Sequence, residues 1–391
     1  MQIPDLALQR SKYKHLTDEE WRWFLQQEEG RWRTADKLPA FAAIPDWWYP
    51  VRMSCEQCSS ELTARYKAQI VHRECPSDGK CADLTAGYGV DTYFLSACFA
   101  HTDYVEQNAE LCRIAEHNWS LQHSAICVHN ATAEAFLQTA GTYHLIYLDP
   151  ARRDSHGGKV FRLQDCTPDV IELLPTLLQH LAPDGRILLK LSPMLDITQA
   201  VRELSSVYIH PSSIRHSPLQ WDTHIVAVKN EVKEVLLLSG GSGIIAATDL
   251  SHPEQAFTFT REEELEASSL PFQGELEGAY LFEPNAAILK AGAYKLIATR
   301  FGLKKLDTNT HLYASDRLIP DFPGRIWQIT QTLKDRKDLP AGMEQANIIC
   351  RNYPLTPDQL KKKLHLRDGG TSYVIGCRIA GHPTLLLAER V

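Results

Sequence analysis

Asp83-Leu84-Thr85-Ala86-Gly87-Tyr88-Gly89 lies between a short apolar run, 80–84, and a helical pattern over 90–99. Gly87 and Gly89 let the backbone turn tightly and approach a ligand, because neither puts a Cβ in the way. Strand, glycine turn and helix in that order suit a nucleotide-like cofactor. Glu106 follows Asp83 by 23 positions, at the end of the next strand-like run. A carboxylate there can accept hydrogen bonds from ribose hydroxyls. A dinucleotide fingerprint would add a third glycine three residues after the second. Thr92 stands at that position, which argues against a nicotinamide dinucleotide.

Outward from this turn the chain alternates. Strand-like runs fall at 80–84, 102–106, 125–129, 143–149 and 185–191, with helical patterns around 90–99, 109–121, 132–140 and 168–181. The alternation predicts an α/β fold, a doubly wound, Rossmann-like parallel sheet. Pro183-Asp184-Gly185 reads as a turn before the fifth strand. The runs 223–228 and 235–238 have so short a link that they should pair antiparallel. In doubly wound sheets the ligand sits beyond the carboxyl ends of the strands. Asp149-Pro150 ends the fourth run and points at that crevice. Its carboxylate can accept a hydrogen bond from an attacking amine or from the cofactor. Arg152, Arg153, Lys159 and Arg162 follow as a basic loop over the mouth, suited to phosphate or an anionic substrate.

The 391 residues suffice for two or three domains. Residues 1–75 read as an N-terminal helical region. Its capping box, Thr17-Asp18-Glu19-Glu20, opens a helix predicted to run to about Glu29, ahead of Gly30. A second helix is expected over 58–71. Five of the eight tryptophans fall before residue 49, among Arg22, Arg31 and Arg33. The glutamates interspersed with them favour packing onto the next domain over base stacking. The catalytic domain is assigned to 76–240, ending at Gly240-Gly241-Ser242-Gly243. Two C-terminal α+β domains follow, 241–320 with a helix near 285–301, and 321–391. In the last, Thr356-Pro357-Asp358-Gln359 caps a helix carrying Lys361, Lys362 and Lys363.

A net charge of −7 excludes a global polycation. Between residues 325 and 378, however, ten Lys/Arg face five Asp/Glu, a local footprint suited to RNA. Tyr353 and Tyr373 could offer stacking surfaces there. No apolar run approaches the ~18 residues of a membrane span, and no charged-then-apolar leader is present, so a cytoplasmic protein without membrane contact is expected. The ten scattered cysteines suit a reducing compartment. Cys55-x-x-Cys58 with Cys75 and Cys81 has zinc spacing, but Cys81 lies inside the first strand run, and no metal is expected. His156 is the histidine nearest the proposed mouth and reads as a loop residue.

Over residues 80–240 the pattern resembles the class I S-adenosylmethionine-dependent methyltransferases. Three further segments resemble one bacterial family of them that ends in a THUMP-like domain. These are Asp149-Pro150-Ala151-Arg152-Arg153, the stretch 58–67, and the tail from Ala346 to Leu355. Glu283-Pro284-Asn285 and the residues up to Gly292 resemble that family's small ferredoxin-like insert. The resemblance implies S-adenosylmethionine as cofactor. Asp83, Thr85, Ala86, Gly87 and Gly89 would hold its methionine part, Glu106 its ribose and Asn130 its adenine side, with Asp149 facing the methyl. THUMP domains accompany RNA-modifying enzymes, which implies tRNA or rRNA as substrate.

Amino-methylating enzymes often carry Asp/Asn-Pro-Pro-aromatic. Here Ala151 and Arg152 replace the last two positions, leaving no stacking partner for a flipped base. No thiol is placed for cysteine-dependent methylation; the nearest, Cys166, reads as a loop residue. The expected activity is methyl transfer to RNA by in-line attack on the sulfonium. Asp149, Pro150 and Arg152 form the catalytic edge, and Arg152, Arg153, Lys361, Lys362 and Lys363 grip the substrate. The alternatives are a non-catalytic RNA-binding scaffold on the same fold, or a methyltransferase of a small molecule or protein.

Overall fold

The structure is a computed structural model that describes residues 10–122, 125–152, 162–207 and 219–391. The chain divides into two compact units, one of 1–222 with 234–242, the other of 223–233 with 243–391.

The first nine strands are β1 (Lys80–Asp83), β2 (His101–Glu106), β3 (Ile126–Asn130), β4 (Tyr143–Leu148), β5 (Ala151–Arg152), β6 (Cys166–Thr167), β7 (Leu181–Leu191), β8 (Trp221–Val228) and β9 (Glu231–Ser239). In the first unit the sheet runs β9-β7-β4-β1-β2-β3. All its pairs are parallel except β7 with β9. β1 and β4 are buried over nearly their whole length, as strands covered on both faces must be. The chain lays β2 and β3 on one side of β1, then returns to lay β4 and β7 on the other. That reversal opens a crevice beyond the carboxyl ends of β1 and β4.

Helices and an aromatic cluster cover this sheet. The helix Asp18–Thr34 carries the Thr17 capping box, but it does not stop before Gly30. Gly30 is buried within it because a Cβ there would lie 2.2 Å from the Cβ of Tyr49. The helix expected over 58–71 is Glu61–Glu74, capped by Ser60, and a separate short helix, Arg52–Gln57, precedes it. Leu38, Phe41, Trp47 and Tyr49 form one core with Tyr88, Phe94, Tyr104 and Trp119. The N-terminal aromatics are therefore mainly packing, although Trp32 stays 57% exposed. Pro183-Asp184-Gly185 is not a turn before the strand. It lies inside β7 as an irregularity where the register against β4 shifts, and Gly185 lies against the Tyr143 carbonyl, leaving no room for a Cβ.

In the second unit, β8 and β9 are joined by Lys229-Asn230, both at positive φ, the type I′ geometry of a hairpin. Strands β10 (Ile244–Asp249) and β11 (Phe257–Thr260) continue from β8 in the order β11-β10-β8. The remaining strands are β12 (Tyr280–Pro284), β13 (Lys304–Asp307), β14 (Thr310–Ser315), β15 (Gly324–Leu333), β16 (Asn347–Arg351), β17 (Ser372–Ile379) and β18 (His382–Arg390). They form one seven-stranded sheet, β13-β14-β12-β15-β18-β17-β16. The helix expected near 285–301 is broken into Ala286–Ala291 and Leu296–Phe301, because Gly292 ends the first at φ +79. The helix Pro357–Leu364 connects the parallel strands β16 and β17 and buries Leu360 and Leu364. Glu283 is buried and receives the guanidinium groups of both Arg325 and Arg351. The two C-terminal segments that resemble family motifs meet at this carboxylate.

Candidate active site

The glycine turn is stitched to the strands on both sides. Leu84 N–H donates to Tyr147 O at 3.0 Å, and Ala86 N–H to Val105 O at 3.0 Å. Asp83 is fully buried; its Oδ2 accepts from Thr92 Oγ1 at 2.6 Å and its Oδ1 from Thr85 N–H at 3.2 Å. Burial pushes the Asp83 carboxyl up to about 8, against the lowering effect of the Thr92 hydrogen bond. Thr92, where a dinucleotide fingerprint would have glycine, thus holds the acid that ends β1. Gly87 has φ +57 and Gly89 φ +83. A Cβ on Gly89 would also lie 2.8 Å from Trp119.

Glu106 and Asp149 reach this turn from opposite sides of β1. Glu106 Oε2 accepts from Gly87 N–H at 3.0 Å, and Oε1 from Asn108 N–H at 2.7 Å. Asp149 N–H donates to Thr85 Oγ1 at 2.6 Å. A cavity of about 370 Å³ results, lined by Asp83 to Asp91, Glu106, Tyr147 and Asp149 among others. Cys58, Ser59, Ala131 to Glu134, Ala151, Thr167 and Pro168 also line it. That size and mixed polar lining fall in the range of small-molecule sites.

Beneath Asp149 lies a charged cluster. Lys190 donates to Asp149 Oδ2. Lys67, with no exposed surface, lies 2.6 Å from Glu234 Oε1 and 3.2 Å from Asp91 Oδ1. Asp91 Oδ2 accepts from the Ser59 and Tyr147 hydroxyls, each at 2.7 Å. Burial would raise Asp91, but Lys67 and Lys190 outweigh it and hold the carboxylate below its usual range. Burial likewise pulls Lys190 down, and Asp149, Asp91 and Glu234 more than reverse that. Sequence reading missed this cluster. Its members are separated by up to 167 positions, and only the lysine inside the apolar strand β7 was a local signal.

The other site residues divide. Asn130 does not line the cavity; its amide donates to the Glu106 and Gln107 carbonyls, both at 3.0 Å, and so fixes the loop after β2. Asp149 and Pro150 follow β4, which ends at Leu148. Ala151–Arg152 forms β5, paired antiparallel with Cys166–Thr167. Arg153, His156 and Lys159 lie outside the described residues. Cys58 is the one cysteine among the described cavity-lining residues, and burial raises its thiol. Burial pushes Cys55 and Cys75 up to about 12, a state opposed to metal-ligating thiolate. Among the described residues one His/Cys/carboxylate group is close enough to share an ion, His101, Asp103 and Cys127, and it contains none of Cys55, Cys58, Cys75 and Cys81. Lys361, Lys362 and Lys363 sit on the helix Pro357–Leu364 in the second unit. Lys361 pairs with Asp358 at 3.3 Å and Asp368 at 2.5 Å, while Lys362 and Lys363 are exposed and have no ion pair among the described residues.

The crystal structure of a "putative methyltransferase" from Porphyromonas gingivalis W83 matches almost the whole chain. Identity is 32%, the match covers 96% of this chain and 92% of that one, and the TM-score is 0.80. This chain belongs to that methyltransferase family. An uncharacterised S-adenosylmethionine-dependent methyltransferase of Mycobacterium tuberculosis, found in two strains, is 23% identical over 382 residues, covering 91% of this chain and 92% of the relative. Residues 280–323 match a ferredoxin-like domain model and 324–390 a THUMP domain-like model. The protein is a class I S-adenosylmethionine-dependent methyltransferase with a Rossmann-like sheet and C-terminal α+β domains. The cavity suits that cofactor chemically: the Glu106 carboxylate accepts from Gly87 N–H in the glycine turn, and a second carboxylate, Asp149, lines the same cavity. S-adenosylmethionine supplies an activated methyl group; the chain supplies position and electrostatics.

Proposed function

We propose that this methyltransferase acts on RNA, with Asp149 at the point of transfer. Within the cavity, Gly87 and its neighbours would take the amino-acid end of the cofactor and Glu106 the ribose. The carrying observation is the joint arrangement of Gly87, Glu106 and Asp149 around one cavity, tied by hydrogen bonds of 3.0 and 2.6 Å. Support for RNA comes from the THUMP-like match over 324–390 and from the exposed Lys362 and Lys363 within it. Arg152 and Arg153, directly after Asp149-Pro150-Ala151, suit a phosphate. On this reading 1–75 braces the cofactor domain 76–240, and 241–320 and 321–391 carry the substrate-gripping surface. The test is transfer of labelled methyl from cofactor to total RNA, compared with RNase-treated extract. Label that survives RNase treatment in a protein or small-molecule fraction would replace RNA as the substrate.

A further inference from the structure

The charged cluster under Asp149 bears on which atom accepts the methyl. Five ionisable side chains from five segments of the chain converge there: Lys67, Asp91, Asp149, Lys190 and Glu234. Burying so many charges costs stability, and a hydrophobic packing could replace them if only the sheet needed support. Asp91 and Asp149 both line the cavity, and Asp149 is the more open: its side chain is 40% exposed, against 10% for Asp91 and 14% for the Lys190 beneath it.

We propose that the acceptor is a hydroxyl, the ribose 2′-hydroxyl of RNA, with Asp149 taking its proton and Lys190 positioning Asp149. The proposal rests on the RNA reading above. A base amine has its lone pair delocalised into the ring, and sites that methylate one hold the flipped ring between aromatic or apolar faces. Among the described residues the aromatic side chains lining this cavity are Tyr88 and Tyr147, only 5% and 1% exposed, with hydroxyls engaged by Trp47 and Asp91. Neither offers a free face. The sequence after Asp149 gives Ala151 and Arg152 instead of an aromatic residue. A sugar hydroxyl needs no stacking surface. It needs a proton acceptor, and the Asp149 carboxylate lines the cavity.

The chemistry balances with the groups present. An oxygen lone pair forms the new O–C bond, the C–S bond breaks, and its electron pair stays on sulfur as S-adenosylhomocysteine. The hydroxyl proton passes to Asp149 and then to water. A protonated ether is a far stronger acid than a carboxylic acid, so an ordinary carboxylate suffices. Lys190 acts through Asp149: its ammonium donates to that carboxylate and holds it aimed at the cavity.

The full-length protein is incubated with total RNA and methyl-labelled S-adenosylmethionine, and the RNA is hydrolysed with alkali. A 2′-O-methyl group removes the nucleophile that cleaves the neighbouring phosphodiester, so the label is expected in alkali-resistant dinucleotides. Label in mononucleotides bearing a methylated base overturns the hydroxyl assignment and leaves RNA as substrate. No label in RNA, with cofactor binding intact by calorimetry, overturns the RNA reading and this proposal together. Lys190→Ala should lower turnover at least tenfold with cofactor affinity within twofold of wild type, and Lys190→Arg should recover part of the loss. Unchanged turnover in a Lys190→Ala variant that melts like wild type would remove Lys190 from the mechanism.

Discussion

Asp83 shows how one residue can serve a site while weakening the fold at high pH. Its carboxyl is raised by burial to about 8 from an ordinary value of 3.8. The folded state therefore holds a proton that the unfolded chain gives up between those values. Its contribution to stability is full below pH ~4 and is lost as pH rises through about 8. Asp83→Asn, which keeps an acceptor for Thr85 N–H and gains a donor toward Thr92, should gain on wild type from pH 5 to 8 and hold a constant advantage above. Urea midpoints across that range measure it. The two glycines of the turn should differ in a related way. Gly87→Ala meets nothing closer than 3.9 Å, so only the left-handed backbone is strained, about 1–2 kcal/mol. Gly89→Ala adds a 2.8 Å approach to Trp119, so it should melt lower than Gly87→Ala by a further ~1 kcal/mol or more. Equal melting temperatures for the two variants would refute the packing account.

Among the elements, the N-terminal helices act on the cofactor site through one aromatic cluster. Trp47 donates from Nε1 to Tyr88 OH at 2.9 Å and packs edge-on against Trp119, the ring that fits under Gly89. Trp48 stacks on His117 at 3.7 Å and its N–H donates to Asn118 Oδ1 at 2.8 Å. Trp47→Ala should cost about 3–5 kcal/mol. Because Tyr88 lies in the glycine turn, the same change should also weaken S-adenosylmethionine binding by calorimetry. A destabilised variant with unchanged cofactor affinity would mean that the cluster only holds the helices on. The capping boxes and their helices were legible in the sequence because capping is local chemistry. Gly30 was not, since the Tyr49 that excludes a Cβ there lies nineteen residues away, in another segment.

At the scale of the whole molecule, the ferredoxin-like and THUMP-like segments are not separable pieces. β12 from the first pairs with β15 from the second over five positions, and Glu283 of one binds Arg325 and Arg351 of the other. Truncation at residue 323 would strip β15 from β12 and open the core of Leu281, Trp327 and Ile329. The shortened chain should aggregate or lose the 280–323 structure, seen as loss of amide-exchange protection there. RNA binding is better tested by Lys362→Ala with Lys363→Ala, which disturbs no described ion pair. If these residues contact phosphates, the slope of log affinity against log salt should fall by about one unit per lysine removed. An unchanged slope would place the RNA grip elsewhere.

The order of strands and helices, the glycine turn and the acids ending β2 and β4 could be read from the chain, because each depends on neighbours within a few residues. The role of Thr92 as partner of Asp83, the tying of Asn130 to the carbonyls of Glu106 and Gln107, and the gathering of Lys67, Asp91, Lys190 and Glu234 under Asp149 could not. Charged side chains far apart in sequence carry no periodic signal of their meeting. Only the crossing of strands at β1 and β4 brings them within hydrogen-bond reach, and only burial then makes their mutual charge decisive.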